Sequence, residues 1–227
     1  AGQFTEVFVD ASHRQGRDAT VQTRSVCPLV DVDIISSGFL DANCRDFVHR
    51  MVDELVAKRP DTVVLAAATD GYLNGEEFEL RDKAGNRATT PAEKAVLWEQ
   101  GTGRVVKRLQ DAGIDVVLVD PIPKFVDWNP EECAVARILV DQASCSTSDA
   151  TAAMARRRAL AVATDAKVAA AHPGVAVLDP FPVLCPTDRC DALRDGRLWW
   201  RDNNHVSVDG ANALGAQFDQ ALAKASG

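Results

Sequence analysis

The stretch "TPAEKAVLWEQGTGRVVKRLQDAGIDVVLVD", residues 90–120, sets out one helix and one strand of an α/β fold. Thr90, Pro91 and Glu93 occupy the N-cap, N1 and N3 positions of a helix. The hydroxyl accepts from the N3 amide, proline loses nothing at N1, and the glutamate reaches back to the N-cap amide. This predicts a helix to about Ala112, ended by Gly113. "IDVVLVD" (114–120) follows with no polar alternation, as in a strand covered on both faces of a parallel sheet.

The same alternation extends in both directions. "TVVLAAA" (62–68) reads as another strand covered on both faces, "VAVLD" (175–179) as a further strand, and "ATVQTR" (19–24) as a strand before a loop bracketed by Cys27 and Cys44. From Asn43 a helix carries Phe47, Val48, Met51, Leu55 and Val56 on one face. It stops near "KRPD", because Pro60 disfavours helix at Arg59. Residues 69–89 read as a polar insertion, 121–148 as partly irregular, and 149–171 as a long Ala/Arg-rich helix ending before "HPG". A short "RLWW" strand precedes a final helix with Ala211, Leu214, Gly215, Phe218 and Leu222 at three- and four-residue steps. The expected architecture is α/β: a three-layer α/β/α sandwich with a parallel sheet and flavodoxin-like topology, one domain over 1–227. Ligands of such sheets bind at the carboxyl ends of the strands, so the loops after Arg24, Ala68, Asp120, Asp179 and Trp200 face the active edge.

A net charge of −8 argues against nucleic acid as a partner, which needs a basic surface. No apolar run reaches bilayer-spanning length, and no basic segment followed by an apolar one marks a signal peptide. Six cysteines fall close together in sequence as Cys27 and Cys44, Cys133 and Cys145, Cys185 and Cys190. None has CxxC spacing and no histidine lies at ligand distance, so no metal or other cofactor is expected. Loops rich in Pro, Asp, Asn or Ser around them favour disulfides over buried thiols. Six cysteines allow fifteen connectivities. Oxidised cysteines without an export signal suggest a piece of a larger exported protein.

Chemistry points to "RDNNHVSVDGANALG" (201–215). Asp202 can reach the Nδ1–H of His205 across three residues and leave Nε2 to accept a proton from a hydroxyl nucleophile. The spacing alone equally fits a surface turn in which Asp202 or Ser207 caps the next helix. His13 and His49 fall within helical patterns and His172 at a helix end, positions that suit structural or solvated roles. One of Trp199 and Trp200 points into the core and the other is free to stack on a sugar.

These residues resemble the terminal D-x-x-H motif of SGNH (GDSL-type) hydrolases. With "TRSVCPL", "CRDF", "KRPDTVVLAA", "LQDAGIDVVLVDPIP", "CSTS" and "HPGVAVLDPFPVLC", nearly the whole chain resembles the extracytoplasmic SGNH domain of the acyltransferase-3 membrane O-acyltransferases. The resemblance implies His205 as general base, Asp202 as its orienter, and pairings 27–44, 133–145 and 185–190, which sequence proximity also favours. It implies an acyl donor and a cell-envelope glycan acceptor as substrates, with a membrane acyltransferase-3 domain as partner in the full-length chain. The domain would then be tethered outside the cytoplasm.

Two departures stand out. The family's nucleophilic serine lies in G-D-S-H at the end of the first strand. Here Phe4, Val7, Phe8 and Ala11 have helical spacing, so residues 2 to about 14 read as the helix after that strand, and the serine is expected upstream of Ala1. The alternative is Ser12 in "DASH" (10–13), but six residues between His13 and Thr20 are too few for a crossover helix. The wider family also places an oxyanion-hole Asn after the strand ending near Ala68, where this chain has Thr69-Asp70-Gly71. A carboxylate would repel an oxyanion. Backbone amides of the serine turn, with one from a glycine such as Gly38, are the substitute donors. A non-catalytic glycan-presenting module and a secreted carbohydrate esterase are the rival readings.

Overall fold

The computed structural model describes residues 2–130, 133, 137 and 140–225. After a 3-10 turn at Gly2–Phe4, the first half holds α1 (Thr5–Arg14), β1 (Asp33–Ser36), β2 (Phe39–Leu40), α2 (Ala42–Lys58), β3 (Thr62–Ala66) and α3 (Thr69–Asn74). Next come β4 (Phe78–Arg81), β5 (Arg87–Ala88), α4 (Pro91–Asp111) and β6 (Asp115–Val119). The second half holds β7 (Ser148–Ala150), α5 (Thr151–Ala171), β8 (Ala176–Leu178), α6 (Phe181–Leu184) and β9 (Arg189–Asp191). It ends with β10 (Leu193–Arg194), β11 (Arg197–Leu198), α7 (Val208–Asn212) and α8 (Gly215–Lys224).

Two compact units share the chain. One comprises residues 22–121, 159–178 and 221–227. Its parallel sheet has the order β3-β6-β8, with Val63 opposite Val116 and Val119 opposite Leu178. Helices flank it: Val52 of α2, Val105, Val106 and Leu109 of α4, and Val168 of α5 pack with Val116 and Leu118. Val117 and Val119, on the opposite face of β6, are also buried. That explains the unbroken apolar run. The cap of α4 forms as its sequence predicts. Thr90 Oγ1 accepts from Glu93 N, and Glu93 Oε2 accepts from Thr90 N.

The unit also carries a sheet that the sequence reading passed over. Strands β2-β1-β4-β5 form an antiparallel four-stranded sheet out of the presumed Cys27–Cys44 loop and polar insertion. Strands of two to four residues are too short for periodicity to declare them. The β1–β2 turn is Ser37-Gly38, with φ of 49° and 82°. Positive φ at both central residues matches the twist of a two-residue hairpin. Under this sheet Tyr72 stacks on Trp98 with ring centroids 5.2 Å apart.

Residues 19–24 form no strand, contrary to expectation. Val21 is their sole large apolar side chain and is itself exposed, so burial gives this segment no reason to join a ladder.

The other unit comprises residues 1–21, 122–158 and 179–220. Residues 2–14 are helical throughout, as predicted. Phe4 and Phe8 of this N-terminal helix pack on Phe218, with ring centroids 5.8 and 6.4 Å away. Arg14 donates from Nε and Nη2 to the Asp219 carboxylate. Strands β7 and β9 pair antiparallel, as do β10 and β11. The single expected C-terminal helix is broken into α7 and α8. Asn212 and Gly215, weak helix formers, bracket the break, and Leu214 between them turns fully into the core. Within the expected irregular segment 121–148, residues 131, 132, 134–136, 138 and 139 lie outside the described residues.

All three disulfides are present. Cα separations are 5.4 Å for Cys27–Cys44, 5.9 Å for Cys133–Cys145 and 4.6 Å for Cys185–Cys190.

Candidate active site

The Asp202–His205 turn rests on a buried anchor. Trp200 is 1% exposed, donates from Nε1 to Pro123 O at 3.0 Å, and meets Phe125 edge-on at 5.1 Å. Trp199, half-buried, takes the Arg194 guanidinium over its ring at 3.8 Å. An antiparallel bridge between Trp200 and Val206 closes the neck of the turn, and Arg201 N donates to His205 O within it. Two contacts hold the turn from outside: Phe125 N donates to Asn203 O, and Val206 N donates to Gln3 Oε1 at 2.7 Å.

Inside the turn, Asp202 Oδ1 accepts from Asn204 N at 2.9 Å. Both carboxylate oxygens lie 2.9 Å from His205 Nδ1. Burial raises the Asp202 pKa, but the Asn204 amide and His205 more than compensate, so it lies below the ordinary carboxylate value. Asp202 is therefore ionised at neutral pH and can only accept. The proton of a neutral imidazole must then sit on Nδ1, leaving the lone pair on Nε2. The Asp202 side chain is 16% exposed and that of His205 45%. The arrangement can take a proton from a hydroxyl and stabilise the imidazolium that results.

Of the two candidate helix caps for α7, Ser207 is the one used: its Oγ accepts from Gly210 N and donates to Leu198 O. Ser207 N also donates to Trp199 O. Gly210 lets the helix start lie this close, because a Cβ there would sit 2.2 Å from Trp199 O. Asp202 is thus free of the cap and faces His205, the Asn204 amide and, at 3.5 Å, Arg201 Nε.

Ser12 is buried and donates from Oγ to Phe8 O at 2.9 Å within its own helix. Gly38 sits at the exposed tip of the β1–β2 hairpin, where turn geometry by itself requires a glycine. Asp70 lies buried in the first turn of α3. His13 and His49 lie on α1 and α2, and His172 follows the end of α5. Gln3 and Phe125, which hold the turn, escaped the sequence reading. Neither a glutamine near the N-terminus nor an aromatic in an irregular segment carries a signal that it will support residues eighty or two hundred positions away.

A parallel sheet flanked by helices, with Asp202 and His205 three residues apart before the terminal helices, defines an SGNH-type α/β domain. The chain belongs to the family of SGNH domains fused to AT3 domains, whose model matches residues 1–220. Comparison with curated protein sequences gives no match. Among solved structures it is similar to the periplasmic domain of a Salmonella ser. Paratyphi A lipopolysaccharide acetyltransferase. The match has a TM-score of 0.60 and 12% identity, and covers 98% of this chain and 78% of that one. At that identity the likeness speaks for the fold.

Proposed function

We propose that the chain is the SGNH domain of a membrane O-acyltransferase and that Asp202 and His205 are the orienter and general base of its serine acyl-transfer site. The observation that carries the reading is the Asp202–His205 pair itself, held by a turn whose helix cap is supplied by Ser207. The nucleophile is assigned to a serine upstream of Ala1, in the G-D-S-H segment that the family pattern puts before the first helix. Ser12 suits the role poorly, since its hydroxyl is buried and committed to Phe8 O.

In the proposed cycle, Nε2 of His205 takes the serine proton as Oγ attacks the acyl carbonyl. The tetrahedral oxyanion collapses, the donor's leaving group departs with the proton held on Nε2, and an acyl-serine remains. An acceptor hydroxyl then gives its proton to Nε2, attacks the acyl carbonyl and releases the serine. Asp202 stays ionised throughout and stabilises each imidazolium. Backbone amides of the serine turn are the better oxyanion donors. Gly38, also considered for this role, is already accounted for by its hairpin.

Acetyl as the acyl group and a cell-envelope glycan as acceptor are suggested by the likeness to a lipopolysaccharide acetyltransferase domain. The fusion of the family to AT3 domains suggests a membrane partner in the same full-length chain. Three disulfides suit a place outside the cytoplasm. Asp70, in place of the wider family's Asn, favours one rival: a module that presents glycan to its membrane partner without chemistry. Ester turnover by a chain extended upstream separates the two. The enzyme reading expects turnover that disappears with His205→Ala, and the module reading expects glycan binding with none.

A further inference from the structure

In a chain of net charge −8, one groove of the sheet-bearing unit sets three cations, Arg45, Arg81 and Lys83, beside the carboxylates of Asp31, Asp33 and Asp82. It has a volume of about 420 Å³, is floored by Val30, Val32 and Val48, and adjoins a second hollow of about 280 Å³ through Asp31, His49 and Lys83. Five Arg and Lys side chains and four carboxylates line the two hollows. Arg108 is spoken for by Asp53, and the Asp82 carboxylate by the Asn86 amides.

The arrangement of the remaining charges is layered. Asp31 and Asp33 lie low, with side chains only 13% and 11% exposed. Arg104 Nε and Lys83 Nζ reach Asp31 at 2.7 and 2.9 Å, with His49 Nε2 at 3.5 Å. Arg81 reaches Asp33 at 2.8 Å and Arg45 at 3.4 Å. The cationic side chains stay accessible, from 33% for Arg81 to 68% for Lys83. Arg45 makes a long hydrogen bond, 3.4 Å, to Asp33, and its side chain is 42% exposed. Stabilisation is therefore a weak explanation for that arginine's place here.

We propose that this groove binds an anionic sugar, a saccharide unit bearing a phosphate or carboxylate group. Arg45, Arg81 and Lys83 hold the oxyanion, while Asp31 and Asp33 splay the guanidinium groups and accept sugar hydroxyls. Guanidinium forks match the geometry of phosphate and carboxylate oxygens. The choice of a sugar rests on the reading of the chain as a glycan-acylating domain. Recognition of the oxyanion does not.

The test is a titration of the 1–227 chain at low ionic strength, followed through its backbone amide NMR signals, with glucose 6-phosphate, inorganic phosphate and glucose. Glucose 6-phosphate should shift the amides of residues 31–33, 45–49 and 81–85, with Kd on the order of millimolar. Phosphate should bind the same residues more weakly, and glucose should leave them unmoved. Arg45→Gln combined with Lys83→Gln should weaken binding about tenfold or more, because charge-assisted hydrogen bonds are lost. Its melting temperature should fall only modestly, because Arg81 remains on Asp33 and Arg104 on Asp31. Absence of any shift with glucose 6-phosphate, or undiminished binding by the double variant, would overturn the site. Equal affinity for phosphate and glucose 6-phosphate would overturn the sugar assignment. Neither result bears on His205, whose role is read from turnover.

Discussion

His205 and its neighbours show how differently residues of one turn should respond to mutation. In a chain carrying the upstream serine, His205→Ala should lower kcat for ester turnover by about three orders of magnitude or more, since an unassisted serine hydroxyl is a poor nucleophile. Asp202→Asn should also be severe, because an amide can hold the imidazole in the wrong tautomer. Ser207→Ala should instead cost about 1 kcal/mol of stability, the usual loss for a helix cap. Equilibrium unfolding and turnover measured on the same three variants separate these effects. A stability loss without a rate loss in Asp202→Asn would return Asp202 to a structural role. Sequence spacing brought Asp202 and His205 together on paper but left capping open, because Asp and Ser are equally good N-caps. Only the bond from Gly210 N to Ser207 Oγ decides between them.

Elements differed in how plainly the sequence announced them. Helix α4 was legible to the residue, since Thr90, Pro91 and Glu93 form a local code that tertiary structure had no cause to override. Strands β3, β6 and β8 were legible from their apolar runs, although only β6 is continuously buried, over Val116–Val119. Val177 of β8 is exposed, and Val63 alone is buried in β3. The β2-β1-β4-β5 sheet was not legible, because β1 pairs with β4 across more than forty residues and the strands show their pattern over two to four positions. At this scale the disulfide Cys27–Cys44 makes a measurable contribution, joining the segment before β1 to the first turn of α2. Replacing both cysteines by serine should lower unfolding free energy by about 3 kcal/mol in the chain-entropy model, read as a lower denaturant midpoint with little change in slope. An unchanged midpoint would show that the bridge is idle. Gly210→Ala tests another junction. Its Cβ would strike backbone rather than a flexible side chain, so α7 must shift, at a cost of about 1–3 kcal/mol.

Across the whole molecule, titration should have a definite sign at each extreme. Asp31 is pushed up by burial, but Arg104 and Lys83 outweigh that and hold it below its ordinary value. Asp202 is depressed likewise by the Asn204 amide and His205 against the opposing effect of burial. Depressed carboxylates contribute stability that is complete above their unfolded pKa near 4 and lost as pH falls through the folded values. Urea midpoints should therefore hold steady from neutrality to about pH 5 and drop below about pH 4. At the alkaline end burial pushes Tyr72 up to about 12, so stability is lost as pH rises above the unfolded value of about 10. Tyr72 is the one tyrosine in the chain, so phenolate absorbance follows it directly. The central claim, that His205 serves a serine lying outside residues 1–227, is tested most directly by trapping the acyl-enzyme and locating the acyl group by peptide mass spectrometry. With an activated acetyl ester, a chain extended upstream should carry the acetyl group on the serine of the segment before Ala1. His205→Ala should carry none, and residues 1–227 alone should carry none. Acetylation of Ser12 in the 1–227 chain, dependent on His205, would contradict the account.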